Sequence, residues 1–372
     1  MKLIRFYILI FCLSFYSTAF PQAKSEDKLE IINADTTRYS KTPQGTLIEM
    51  IGNVYLKQGE AEMFCGRAEH WRDAHKTIVY KNVRIYEKEK SLFADKVFYF
   101  DIPQIFKAIG NVVLKDSIRQ VNAREISYFK KENRVEADFD VVLKDSINYI
   151  DIFGEHAEFD NNKDYALVIG NPVLIKKDST GLEELRISSV KMELFEDGDN
   201  AVVTDSVRIV QSKANATCGQ AEFYRKKNEI LLKQKPVAWQ GEDRLSGELI
   251  YLFVENNKLV KAIVKDQAVV TSRVDTTDAD QRVNILTGQQ IIMYFENEEL
   301  YQVDVENEAT SYYYIYEDNE NKGMNKIIGD KISVFLKDKK IDRILVESKP
   351  QLSSGMYYPP GKEPEQEVRK KE

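Results

Sequence analysis

Beyond its first nineteen residues this chain has no apolar run long enough to cross a bilayer as a helix. Cysteine and histidine are scarce, three of each in 372 residues. None of His70, His75 and His156 stands at metal-ligand spacing from a cysteine, so no zinc or other metal site is expected. Basic excess is also missing. Lys and Arg number 53 against 60 Asp and Glu, a formal charge of -7. An acidic chain without a basic stripe is a poor ligand for nucleic acid. There is no glycine-rich phosphate loop and no nucleophile elbow. No catalytic residue and no cofactor is therefore expected. Carboxylate pairs such as Asp95 with Asp101, or Glu155 with Glu158, fall on alternating strand positions, where a solvated surface role is the ordinary one. Glycine and proline are sparse (17 and 9), whereas Tyr and Phe number 20 and 18, which favours strands over disorder.

What is present begins with an export signal. Lys2 and Arg5 precede an apolar run from Phe6 to Phe15, and Ser17-Thr18-Ala19 follows. This order of charge, apolar stretch and small residues marks residues 1–19 as a signal peptide, cleaved after Ala19 or, alternatively, Ala23. Cys12 lies inside the apolar run behind the bulky Ile10-Phe11, a poor lipidation site. The remaining chain is expected to be soluble after export.

The main signal is repetition, which decides architecture before anything else. Gly110-Asn-Val-Val-Leu-Lys-Asp-Ser-Ile118 returns as Phe139-Asp-Val-Val-Leu-Lys-Asp-Ser-Ile147, an offset of 29 residues. Each of ten units carries a small residue: Ala34, Gly66, Ala94, Ala123, Gly154, Ser189, Gly219, Gly247, Gly288 and Gly329. Two positions earlier stands an apolar residue, as in Leu92, Val121 and Ile152, with Thr217 the exception. Three and five positions later come further apolar residues, as in Val97 and Tyr99 or Ile126 and Tyr128, with Glu69 and Glu222 as exceptions. Residues an odd number apart point to opposite faces of a straight strand. A bulge or sharp bend at the small residue restores one apolar face, and a small side chain fits the crowded corner. Polar turns such as Lys131-Glu132-Asn133 and Asn161-Asn162-Lys163 then reverse the chain. A second apolar strand follows, as in Asn53-Val54-Tyr55-Leu56 and Asn111-Val112-Val113-Leu114. Each unit is thus a bent antiparallel hairpin of about 30 residues. Stacked edge to edge, the units build two facing sheets with a continuous apolar interior. Cys65 and Cys218 hold equivalent places about five units apart, beyond disulfide reach. They are expected to be free and mostly buried.

Gly52-Asn-Val-Tyr-Leu56 resembles the repeat of the OstA/LptA-like superfamily, as does Leu92-Phe-Ala-Asp-Lys-Val-Phe-Tyr99 followed by Gly110-Asn-Val-Val-Leu114. The resemblance covers about residues 30 to 350 and is strongest from 30 to 260. It implies an all-β fold, an elongated twisted β-jellyroll of stacked antiparallel hairpin repeats. In domain terms, residues 30–260 would hold the jellyroll repeats, 261–352 a divergent continuation, and 353–372 a disordered charged tail. The function it implies is non-catalytic. A periplasmic component would bind lipopolysaccharide through its lipid A acyl chains and carry it toward the outer membrane. Partners of the same jellyroll fold would pair with its open edges, near Ile31 and near Ile341–Leu345, at the inner and outer membranes, alongside head-to-tail self-association. The inner-face residues expected to touch lipid are Leu92, Val97, Tyr99, Val112, Leu114, Val121, Ile126, Tyr128, Val141, Leu143, Ile152 and Phe159.

Two other architectures carry similar patterns. One is an exported β-repeat scaffold or surface-binding protein whose core is filled. The other is a parallel β-helix, as in carbohydrate-active proteins, which would wind in one direction without tight hairpins. A groove between the sheets separates the carrier from the scaffold.

Overall fold

The computed structural model describes residues 29–364, apart from 197–198, 212–213, 256–257, 275–281, 298, 318–319, 339 and 350–351. The expected signal peptide, residues 1–19, lies outside the described residues. The chain forms two compact units, one ending at Val203 and one starting at Thr204.

In the first unit the strands run β1 (Glu30–Asn33), β2 (Thr36–Thr42), β3 (Gly45–Gln58), β4 (Ala61–Trp71), β5 (Lys76–Glu87), β6 (Lys90–Phe100), β7 (Ile105–Lys115), β8 (Arg119–Phe129), β9 (Arg134–Asp145) and β10 (Ile150–Asp160). Shorter strands follow: β11 (Tyr165–Ile169), β12 (Val173–Lys177), β13 (Glu183–Ser188) and β14 (Lys191–Phe195). From β3 to β10 each strand pairs antiparallel with the next. Antiparallel pairing throughout excludes the parallel β-helix.

Every long strand is interrupted at mid-length. Ile51 pairs with Arg67 and Val54 with Cys65, so Gly52-Asn53 on β3 oppose the single Gly66 on β4. The same break recurs at Lys81-Asn82, Gly110-Asn111 and Phe139-Asp140. Both residues of each pair have positive φ, for example +81° and +45° at Gly110-Asn111. Nine such dipeptides occur among the described residues, up to Asn307-Glu308. Glycine adopts this left-handed backbone freely and asparagine readily, which is why Gly-Asn recurs there. The bend therefore lies on the strand following the small residue. The expectation had the corner at the small residue itself, which is correct in level but wrong in strand. The small residue answers to crowding: a Cβ on Gly154 would stand 2.6 Å from Val168 Cγ1 and 3.1 Å from the Ile169 carbonyl. The corner is also tied across strands, because Asn53 Nδ2 donates to Asp35 Oδ2 at 3.0 Å and Asn111 Nδ2 to Asp95 Oδ2 at 3.0 Å.

The bends split the strands into two ladders. The first half of β10 pairs with β12 and the second half with β11. Then β12 pairs with β13 and β11 with β14. Ladder A holds Gly45–Ile51 and its neighbours in register; ladder B holds Val54–Gln58 and its neighbours. On ladder A an inner row runs through Met50, Ala68, Val79, Val97, Ala108 and Ile126 to Ala137, each at most 3% exposed. On ladder B the matching row runs Leu56, Met63, Ile85, Leu92, Leu114, Val121, Leu143, Ile152.

The register also removes the three exceptions in the repeat. Val54 pairs with Cys65 as Val83 pairs with Ala94 and Val112 with Ala123. The small residue of that unit is therefore Cys65, not Gly66. Read from Cys65 and Cys218, the apolar offsets become Met63 and Ala68, and Ala216 and Ala221, all buried. Glu69 and Glu222 move to the other face. Both cysteines are free and buried.

The second unit continues with β15 (Asn200–Gln211), which spans the division, β16 (Ala214–Tyr224), β17 (Glu229–Lys233), β18 (Val237–Gln240), β19 (Asp243–Ser246) and β20 (Leu249–Glu255). It ends with β21 (Lys258–Arg273), β22 (Val283–Glu296), β23 (Glu299–Glu317), β24 (Glu320–Lys337), β25 (Lys340–Glu347) and β26 (Ser354–Tyr358). The pairing stays antiparallel. β25 joins the second half of β24 and β26 the first half, with Met324 opposite Tyr358. Residues 354–358 are thus a paired strand and not a disordered tail. Tyr358 packs against the cluster of Ile285, Tyr312, Tyr314 and Met324, a hydrophobic gain that outweighs the charged composition around it. Residues 365–372 lie outside the described residues.

Candidate functional site

In the first unit the two ladders enclose an apolar cavity of about 180 Å³. Ladder A contributes Val97, Tyr99, Phe106, Ala108, Ile126, Tyr128 and Val135; ladder B contributes Met63, Ile85, Leu92 and Leu114. These side chains meet because each bend brings the two halves of a strand onto the same interior. An apolar cavity of roughly 150 Å³ stays dry and takes up a benzene-sized hydrocarbon, so this space suits a stretch of alkyl chain.

Of the twelve expected inner-face residues, Leu92, Val97, Tyr99, Leu114, Ile126 and Tyr128 line the cavity. Val112, Val141, Leu143 and Ile152 are buried in the packed part of the interior, each at most 3% exposed. Val121 and Phe159 are half-buried and do not line the cavity. Met63, Ile85, Phe106, Ala108 and Val135 were missed, although their row partners Leu92, Leu114, Tyr99, Val97 and Tyr128 would have located them once the register was known.

The mouth is polar. Gln58, Glu87, Lys90 and Ser91 stand on the ladder B lip; Asp101, Gln104 and Lys130 stand on the ladder A lip. Gln58 hydrogen-bonds the Tyr99 phenol across the mouth. Tyr99 Oη also donates to Asp101 Oδ1 at 3.3 Å. Burial, then the nearby Asp101 carboxylate, pushes the Tyr99 phenol up to about 12. Burial, then the Glu87 charge, does the same to Tyr128, also about 12. Burial raises Glu87 and lowers Lys90, two residues that face each other in register. A hydrocarbon interior with charged lips is arranged for an amphiphile. A second, smaller hollow of about 70 Å³ lies in the second unit among residues such as Leu286, Met293, Leu300 and Val334.

Among the described residues no group of His, Cys, Asp and Glu has a metal-binding arrangement. His70 is half-buried in an inner row, with Nδ1 3.0 Å from Thr77 Oγ1, and burial lowers its pKa. His156 Nδ1 lies 2.6 Å from Asp138 Oδ1. Asp95 is occupied by the Asn111 corner.

Residues 26–130 match the family model described as OstA-like protein. The match takes in nearly all of the cavity lining, from Gln58 to Lys130, with Val135 just beyond it. Among solved structures the chain is similar to LptH, described as the LptA homologous periplasmic component of the conserved lipopolysaccharide transport device from Pseudomonas aeruginosa. The identity is 15%, the overlap covers 39% of this chain and 95% of LptH, and the TM-score is 0.30. No curated protein matches.

Proposed function

We propose that this chain is a non-catalytic periplasmic component of lipopolysaccharide transport that shelters lipid A acyl chains between its two ladders. The observation that carries the reading is the apolar cavity of the first unit, open between polar lips. Each buried methylene of an acyl chain contributes about 0.8 kcal/mol. Alkyl chains need no precise polar partner, which fits a lining of Leu, Val, Ile and Tyr side chains. The OstA-like match over residues 26–130 agrees with this role. End-to-end partners of the same fold would pair with β1 and β2 at one end and with β25 and β26 at the other. Ile31, Ile32 and Leu345 there are each over 40% exposed.

Lipopolysaccharide is expected to co-elute with the purified protein. Leu114→Trp, which fills the cavity, should reduce bound lipid by about tenfold, while Val113→Trp, on the outer face, should leave it unchanged. Equal binding by both variants would remove the cavity from the account.

A further inference from the structure

The hairpin tips of ladder B carry a feature that a cavity for acyl chains does not require. Three successive tips between Lys115 and Glu183 place large apolar side chains in solvent. Ile118 is 36% exposed, Ile147 63%, Tyr149 52% and Leu182 70%. The facing tips of ladder A are mainly polar: Arg72-Asp73-Ala74-His75, Lys130-Lys131-Glu132-Asn133 and Asn161-Asn162-Lys163-Asp164. Ile102 is the large apolar residue on that side, 64% exposed. The earlier ladder B tips, Gly59-Glu60 and Lys88-Glu89, are polar too. The apolar tips therefore form a ridge along one part of one lip.

Many backbone amides of this ridge are already hydrogen-bonded within the chain. Asp116 Oδ1 accepts from the Ile118 and Arg119 amides at 2.8 and 2.7 Å. Asp145 Oδ1 accepts from the Ile147 and Asn148 amides, both at 2.9 Å. Asp178 Oδ1 accepts from the Thr180 and Leu182 amides at 2.8 and 2.9 Å. The tips are also laced together. The Ser146 amide donates to the Ile118 carbonyl at 3.0 Å, and the Lys177 amide to the Tyr149 carbonyl at 2.9 Å. Backbone groups entering an apolar medium must carry their hydrogen bonds with them, and these do.

We infer that this ridge docks the protein onto the surface of a lipid bilayer, with Ile118, Ile147 and Leu182 entering the acyl boundary and the Tyr149 ring at the headgroup level. Successive tips stand about 10 Å apart, two strand spacings. Separate aliphatic points at that spacing suit a fluid apolar medium better than a folded partner, which offers a shaped pocket for each anchor. Tyrosine is at home at such an interface, with its ring in the apolar layer and its hydroxyl in water. Lys115, Lys144 and Lys176, set just behind the tips, have stems long enough to reach lipid phosphates. The inference does not depend on what the cavity holds.

Vesicle flotation of the full chain tests it, with phosphatidylcholine vesicles with and without phosphatidylglycerol. The triple variant Ile118→Ser, Ile147→Ser, Leu182→Ser changes exposed side chains only and shares residues 1–28 with the parent, so the comparison reads the tips. It should lower the bound fraction by about tenfold or more, and Ile102→Ser should not. An environment-sensitive dye on Ile147→Cys should shift to the blue on adding vesicles, whereas the same dye on Ile102→Cys should not. The native Cys65 and Cys218 are buried, and Cys12→Ser in the parent and both labelled variants leaves the label to the new site. Equal flotation of parent and triple variant, or no dye shift at position 147, overturns the inference. So does concentration-dependent dimerisation in light scattering that the triple variant abolishes, since a second copy would then be the occupant. Lipopolysaccharide retention by the triple variant reports separately on the cavity.

Discussion

At the scale of single residues the fold is governed by its corners. Gly110 sits at φ +81°, and a Cβ there would overlap the Asp95 carboxylate. Gly110→Ala should therefore lower the thermal midpoint, by more than about 1 kcal/mol in stability. Phe139 holds the equivalent place at φ +64° and is 57% exposed. Phe139→Gly should raise the midpoint, because a left-handed aromatic residue costs about 1 kcal/mol that glycine does not. The opposite signs at two copies of one repeat position can be read in one series of melting curves. The sequence made the recurrence of Gly-Asn visible but not its dihedral meaning, since Lys81, Phe139 and Gln234 occupy the same place and hide the pattern. Cys65 was hidden for a related reason. A cysteine beside a glycine draws attention to the glycine, and only the pairing of Val54 with Cys65 shows which one is the small inner residue. Cys65→Ala should accordingly cost less than about 1.5 kcal/mol in denaturant unfolding, since alanine fills that place at Ala94 and Ala123. Burial pushes both cysteine thiols up to about 11.

At the scale of elements, each strand separates an apolar inner row from a charged outer one. β16 shows how an acid is held on that second row. Glu222 is 8% exposed and accepts from Lys233 Nζ and Tyr224 Oη, both at 2.6 Å, and from Gln220 Nε2 at 2.8 Å. Burial alone would raise its pKa, but the hydrogen bonds from Lys233 and Tyr224 outweigh it and the pKa is lowered. A lowered pKa stabilises the fold above the ordinary glutamate value of 4.5 and loses that contribution as pH falls through the folded value. Glu222→Gln should thus be less stable than the parent at pH 7, and the gap should narrow as pH falls below 4.5 toward the lowered folded value. Parallel urea titrations at the two ends of this range measure it. Glu222 was readable in the sequence as a break in the pattern. Its partners were not, because Lys233 comes from the neighbouring strand and its approach depends on register, which periodicity alone leaves open by one residue.

At the scale of the whole molecule, fold class was legible because ten copies of one weak pattern reinforce each other where one copy says little. The antiparallel hairpins, the bend in each strand and the two ladders all follow from apolar spacing and polar turns. The cavity was only half legible. Six of twelve expected residues line it, and the rest lie elsewhere on the inner face. Alternation gives the face of a side chain but not where two facing rows fail to touch. That depends on the bulk of opposing residues, such as Ala108 beside Tyr128. The tail was misread because its charge obscured the strand Ser354–Tyr358, which β24 recruits through Met324 and Asn325.

The central claim is that acyl chains lie between the ladders. Its most direct test is a photo-crosslinking amino acid placed at Tyr128, inside the cavity, and at Ile109, on the outer face of the same ladder, in cells making lipopolysaccharide. Crosslinked lipopolysaccharide is expected from position 128 and not from position 109. Capture at 109 with none at 128 would contradict the account.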